Sequence, residues 1–322
     1  MTQYARYVGS NGVVHTGRLQ HGRLQDVPGD PEILDLLKMP ADVRRDLDLR
    51  GGRHQKLPIE DAEFAVPVEP RAMRDFLVFE AHIAGMKKNE PGDGRVPPQW
   101  YEAPAFLFMN PWSVVPTGAD IPMPPFTQKL DFELEVAMIV KNTVRDVPLE
   151  EAHEHIAGFC LLNDWSARDI QGNEMRVGLG PNKGKDFANT LGPWITTPDE
   201  LEQYREGDRY ALDMSVAING EVVGTDNLRN MSWSFEEMLV HASRDAWVGA
   251  GDVLATGTAS QGALSERWAR AGGELVIPPL QVGDEVTMTV QGLGSITNRI
   301  VEQQSPGYTV PPARRTYGED RL

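Results

Sequence analysis

The sequence predicts a mixed α+β fold dominated by strands, on three observations. Residues 130–140 read LDFELEVAMIV. Side chains alternate faces along a strand, so Phe132, Leu134, Val136, Met138 and Val140 share one face, and Glu133, Glu135, Ala137 and Ile139 the other. Both faces are largely apolar, the pattern of a strand buried on both sides. Two further segments read as hairpins. In 210–225, Leu212, Met214, Val216 and Ile218 alternate and lead into Asn219-Gly220, a pair suited to a type I′ turn because both positions need positive φ. Residues 285–301 read as a second hairpin around their glycines. Helices are fewer and no alternating βαβ rhythm appears, so the architecture is expected to be mostly antiparallel with peripheral helices.

Taken in order, the first 25 residues read as short strands joined by Gly-containing turns. Residues 31–50 have helical spacing, with Ile33, Leu36 and Leu37 on one side. The proline-rich stretch 65–73 marks a boundary, giving a small N-terminal β-rich cap domain (1–70), a larger domain (71–310) and a C-terminal tail (311–322). Residues 148–158 are expected to be helical, as are 234–243, where Ser234 and Glu237 have capping-box spacing and Phe235, Met238, Leu239 and Ala242 share a face. The stretch 304–322 is Pro-rich and polar and reads as a mobile end or an arm across a partner subunit.

Composition narrows the function classes. The chain carries 47 acids against 31 bases, a net charge of −16. Such a surface repels phosphate backbones and acidic membranes, so nucleic-acid binding is not expected. Cys160 is the single cysteine and lies in an apolar run, which excludes an intrachain disulfide and predicts a buried thiol. No basic-then-apolar leader and no run long enough to span a bilayer are visible, so cytosolic residence is the expectation.

The chemistry starts at Glu133 and Glu135. Two neighbouring anions on a buried strand are costly, because desolvation and mutual repulsion add. A hard divalent cation is the simplest compensation; an edge strand with its acids in water is the alternative. Further polar residues gather around apolar runs: Asp75 and His82 in 74–91, Asp164, Arg168 and Gln171 in 158–172, Lys185 in 180–187, and Thr258 and Glu266 in 255–268. Oxygen ligands, an imidazole base, two cations and an amide together suit enolate or acyl chemistry.

These blocks resemble the fumarylacetoacetate hydrolase family, most specifically in the strings LDFELE and NDWSARDIQ and in the stretch 184–194. The resemblance implies a rolled β-sandwich and a homodimer. It makes Asp75, Glu133, Glu135 and Asp164 ligands of Mg²⁺, Mn²⁺ or Ca²⁺. It makes His82 the water-activating base with Glu266 as its carboxylate partner. Arg168, Gln171, Lys185 and Thr258 then hold the substrate or stabilise its developing charge. The animal fumarylacetoacetases carry substrate-touching tyrosines where this chain has Leu77 and, near the second place, Met175. The implied substrate is therefore another diketo or oxo acid, and the implied reaction is hydrolysis of a C–C bond in a 1,3-dicarbonyl acid through a cation-stabilised enolate. Decarboxylation of an oxo acid and isomerisation of a hydroxydienoate are the alternatives within the family. A calcium-stabilised β binding module is the non-enzymatic one.

Several patterns could mislead. His153 and His155 stand two apart on a presumed helix and would diverge, so a solvated face is expected. Glu237 and His241 are read as a surface pair. The loop 178–186 lacks the spacing of a nucleotide-binding loop, with Asp186 where a hydroxyl should stand. If 74–91 is helical, Asp75 and His82 project from one face and Glu80 points elsewhere. The polar, Gly- and Pro-rich tract 87–102 reads as a substrate-covering lid.

Overall fold

The structure is a computed structural model that describes residues 3–50, 56–89, 95–305 and 307–311. It is a mixed, strand-rich α+β fold built on two sheets. The larger sheet runs, in spatial order, through Lys56–Pro58, Arg23–Asp26, Val14–Gln20, Gln3–Val8, Asn189–Thr196, Ile156–Asp164, Leu134–Val140, Val253–Ala255, Met73–Phe76 and Phe106–Met109. Along this path only the pairing of Val253–Ala255 with Met73–Phe76 is parallel. The smaller sheet is ordered Glu221–Asn227, Asp213–Ile218, Glu285–Val290, Gly294–Val301 and Asp120–Pro122.

The alternation read from 130–140 sets both cores. Leu134, Val136, Met138 and Val140 pack with Met214, Val216, Met288 and Ile296 of the smaller sheet. On the opposite face Ala137 and Ile139 pack with Cys160, Leu162 and the helical residues Ile33, Leu36 and Leu37. Burying each such Val, Leu or Ile side chain contributes about 1.5–3 kcal/mol. The N-terminal residues join this frame directly. Gln3 and Tyr4 pair with Thr196 and Ile195, and the Ile33–Lys38 helix covers the second core.

The two expected hairpins form. Asn219 and Gly220 have φ of 51° and 84°, joining Asp213–Ile218 to Glu221–Asn227. The helix Phe235–Ser243 begins with the full Ser234–Glu237 capping box. Cys160 is buried, and burial pushes its thiol up. Among the described residues no helix is long and apolar enough to cross a membrane.

Five expectations are corrected. The strand expected over 130–140 is broken into Leu130–Asp131 and Leu134–Val140, because side chains take the backbone donors between them: Asp131 Oδ1 accepts from Phe132 N at 2.8 Å and Asn163 Oδ1 from Glu133 N at 3.1 Å. The helix expected over 31–50 is two, Ile33–Lys38 and Ala41–Arg50, since Met39 precedes Pro40 and adopts the extended conformation which that position favours. The segment 148–158 is a 3₁₀ helix, Leu149–His155, after which Ile156 enters a strand paired on both edges. Asp75 and His82 do not share a helix: Asp75 lies in the Met73–Phe76 strand, held between two partner strands, and the helix starts at Glu80. The Glu237 carboxylate accepts from Ser234 N and lies 3.7 Å from Arg209, while His241 rests against the Phe106 ring. His153 is exposed, as expected. Residues 312–322, nearly all of the tail, and 90–94 of the expected lid lie outside the described residues.

Candidate active site

Sheet register brings the four acids together. Asp164 pairs with Asn189 and donates its backbone N–H to the Glu133 carbonyl at 3.3 Å, so the ends of two antiparallel strands place Glu133, Glu135 and Asp164 side by side. Asp75 arrives from farther along the sheet. Ala255 pairs with both Ala137 and Asp75, which sets the Asp75 strand beside the same edge. One oxygen from each of Asp75, Glu133, Glu135 and Asp164 lies within 4.8 Å of the others, and all four residues are buried.

The cluster is electrostatically incomplete by itself. Asp75 Oδ1 and both Glu135 oxygens are buried without a hydrogen-bond partner, an arrangement that ordinarily costs several kcal/mol per buried charge. Burial, followed by repulsion from Asp75 and Glu133, pushes Glu135 well up. Burial likewise raises Asp164, with Glu133 and Asp75 adding to it, even though Lys185 opposes. Asp75 is pushed up to about 7, again chiefly by burial. Glu133 goes the other way: burial would raise it, but Lys185 and Arg168 together outweigh burial and hold it below the carboxylate range. An all-oxygen donor set with unpartnered buried oxygens fits a hard divalent cation.

Two cations and an amide edge the cluster. Lys185 Nζ donates to Glu133 Oε2 and Asp164 Oδ2. It is delivered by the Lys183–Lys185 turn, which passes so close to the neighbouring helix that a Cβ on Gly184 would stand 2.7 Å from the Gln171 backbone nitrogen. Arg168 and Gln171 lie on that helix, Arg168–Met175. Arg168 Nη1 lies 2.7 Å from Glu133 Oε1 and donates to Gln171 Oε1 at 3.0 Å, while Nη2 is buried without a partner.

His82, near enough to the cluster to help lower Glu133, belongs to a second wall. Its Nδ1 lies 2.8 Å from Glu266 Oε2, joining the helices Glu80–Lys87 and Leu264–Arg270. Glu266 also accepts from Gln261 N at 2.7 Å and from Arg270 Nε at 2.7 Å. Burial would raise Glu266, but His82 and Arg270 outweigh it and its carboxyl is lowered. The helices touch at Gly85, where a Cβ would lie 2.5 Å from Glu266 Oε1. Glu80 instead accepts from the Tyr101 hydroxyl at 2.6 Å. Thr258 is 3% exposed, on the loop that runs against Phe76 just after the Val253–Ala255 strand. Leu77 is half-buried, whereas Met175, Val177 and Leu179 are exposed. Of the lid tract, the described part holds Pro98–Tyr101, a 3₁₀ turn pinned by Trp100 Nε1 donating to the Leu77 carbonyl at 2.6 Å.

Three residues that sequence reasoning did not single out serve this site. Asp131 bonds Arg168 and the start of the Glu266 helix; its place two residues before Glu133 continues the same acidic alternation and was the available signal. Glu174 accepts from the backbone N–H groups of Asn182, Lys183 and Gly184, tying the Lys185 turn to the Arg168 helix. Arg270 holds Glu266 from one helical turn away and offered only i,i+4 spacing as a clue.

Known proteins share this arrangement of fold and sequence. The family model described as fumarylacetoacetate (FAA) hydrolase C-terminal matches residues 71–301. Fumarylacetoacetase of Arabidopsis thaliana is 30% identical over 270 residues, 70% of this chain and 63% of that protein, so the chain spans less than two thirds of that relative. Among solved structures, fumarylacetoacetate hydrolase from psychrophilic Exiguobacterium antarcticum superposes with a TM-score of 0.72 at 24% identity, covering 94% of this chain and all of the other. Maleylpyruvate hydrolase from Sphingobium sp. SYK-6, in complex with manganese(II) ion and pyruvate, gives a TM-score of 0.69 at 20% identity with coverage of 94% and 100%.

Proposed function

This chain belongs to the fumarylacetoacetate hydrolase family, and we propose that it is a divalent-metal-dependent hydrolase that cleaves a C–C bond in a 1,3-dicarbonyl acid. The observation that carries the reading is the His82–Glu266 pair, with His82 close enough to help lower Glu133, next to a buried four-carboxylate cluster in which Asp75 Oδ1 and both Glu135 oxygens lack partners. A structural cation site has no use for such a pair. Mg²⁺, Mn²⁺ or Ca²⁺, held by Asp75, Glu133, Glu135 and Asp164, would supply Lewis-acid polarisation of the dicarbonyl oxygens. That the Sphingobium hydrolase of the same fold is in complex with manganese(II) ion supports a divalent ion in this reading.

The chain's own residues do the rest. With Nδ1 committed to Glu266, His82 presents Nε2 to water and takes its proton as the water oxygen bonds to the carbonyl carbon. The electron pair of the breaking C–C bond passes to the departing carbon as an enolate, which recovers that proton from His82. Lys185 and Gln171 lie where negative charge develops. Gln171 Oε1 is engaged by Arg168, which leaves its amide N–H groups as donors. Arg168 Nη2, without a protein partner, is placed to donate to a substrate carboxylate. A homodimer, read by light scattering, belongs to the same proposal.

The test is product release from acylpyruvates, fumarylacetoacetate and oxaloacetate with Mg²⁺, Mn²⁺ or EDTA, with products identified by mass. Two products from a dicarbonyl acid, lost with EDTA, are expected. Carbon dioxide from oxaloacetate without any hydrolysis would replace this reading with decarboxylation.

A further inference from the structure

Asp131 is fully buried and carries no solvent contact, yet all of its acceptor capacity is used. Oδ1 accepts from Phe132 N and Leu264 N, each at 2.8 Å. Oδ2 accepts from Ser265 N at 2.9 Å and from Arg168 Nε at 2.8 Å. Leu264 and Ser265 open the helix that bears Glu266, and the residue before them, Ala263, gives no side-chain cap. The first N–H groups of a helix have no partner inside it, so here a carboxylate from a distant strand caps the helix. The same carboxylate fixes the Arg168 guanidinium, which in turn reaches Glu133 and Gln171. Two otherwise separate parts of the site therefore share one anchor, two residues before Glu133.

We propose that Asp131 is a positioning residue that couples Arg168, on the substrate and carboxylate side, to the helix that aims Glu266 at His82. The proposal rests on the hydrolytic reading above and extends it to a residue that touches no reacting atom. Asp131→Asn keeps the size and removes one acceptor oxygen. An amide NH₂ then faces either Leu264 N and Phe132 N or Ser265 N and Arg168 Nε, so one set of donors is lost.

The test combines turnover with a signal that needs no substrate, the low-field proton resonance of His82 Nδ1–H in its bond to Glu266. In Asp131→Asn this resonance is expected to shift or vanish while Mn²⁺ affinity, measured by titration calorimetry, stays at the parent value. Turnover should fall by about 10–100-fold because the base is misaimed. Should Asp131→Asn fail to fold, Arg168→Lys asks the same question. Lysine cannot bond Asp131, Glu133 and Gln171 together, and the His82 resonance should respond although Arg168 has no bond to His82 or Glu266. A folded Asp131→Asn protein with the parent resonance and parent turnover would overturn the coupling, as would an unchanged resonance in Arg168→Lys. If the parent protein hydrolyses no dicarbonyl acid but its resonance still depends on Asp131, the reaction assignment fails and the coupling stands.

Discussion

The two walls of the site are built on opposite electrostatic plans. The carboxylate wall concentrates like charge in a buried place and leaves oxygens of Asp75 and Glu135 without donors; burial raises Asp75, Glu135 and Asp164, while Lys185 and Arg168 hold Glu133 down. The histidine wall is saturated: Glu266 has His82, Gln261 N and Arg270 around it, and its carboxyl is lowered. On the proposed reading one wall would take a cation from outside, while the other is organised by the fold alone.

Breaking the carboxylate wall should have the largest effect. Glu135→Gln is expected to abolish divalent-ion binding in calorimetry and bring turnover to background, while the cation-free protein becomes more stable at neutral pH because a buried acid whose ionised form has no partner is gone. Unchanged ion affinity would remove Glu135 from the donor set. On the other wall, His82→Ala should cost about 10²–10⁴ in turnover with ion binding intact. Loss of the ion in that variant would show that the two walls are not separable. A gentler perturbation is Gly85→Ala, whose methyl group would collide with Glu266 Oε1. Moving that carboxylate should lower turnover by about 10²-fold and stability by about 1–3 kcal/mol, read by steady-state kinetics and chemical denaturation.

The walls also predict opposite slopes of stability with pH. Asp75, Glu135 and Asp164 have folded pKa values above their unfolded ones, so the folded cation-free protein binds more protons and loses stability as pH rises. For Asp75 the loss falls between the unfolded carboxylate range and about 7. Glu266 is lowered, so its contribution is present above its unfolded pKa and is lost as pH falls through the folded one. Thermal melts in EDTA should therefore show lower stability at pH 7.5 than at pH 5.5, and saturating Mn²⁺ should flatten or reverse that slope. Equal slopes with and without the ion would break the contrast. Ser234→Ala should cost only about 1 kcal/mol through the lost helix cap, with turnover unchanged.

Much of this was legible in sequence because it depends on short-range periodicity. Alternation over 134–140 assigned each apolar side chain to its core, Asn219-Gly220 named its turn, and Ser234 with Glu237 named a helix start. Side-chain chemistry singled out Glu133 and Glu135, and the family resemblance marked the other acids, the imidazole and the cations; the structure gathers the four acids with Lys185 and Arg168 and pairs His82 with Glu266. Local reasoning failed where a distant strand or a side chain overrode it. Asp75 looked helical because 74–91 is apolar at compatible spacings, but strand pairing with residues far along the chain claimed it. The 130–140 strand looked continuous because no local pattern shows that Asp131 and Asn163 will take the backbone donors of Phe132 and Glu133.

The sequence by itself determined which side chains could do chemistry and which faces would be buried, since residue type and spacing decide charge, hydrogen-bonding capacity and hydrophobic period. Only the tertiary structure decided that Asp75 meets Glu135 through a parallel strand, that Gly85 gives Glu266 room to reach His82, and that Asp131 caps a helix begun more than a hundred residues later. Those contacts join segments remote in the chain, and their geometry exists only once the sheets have paired and packed.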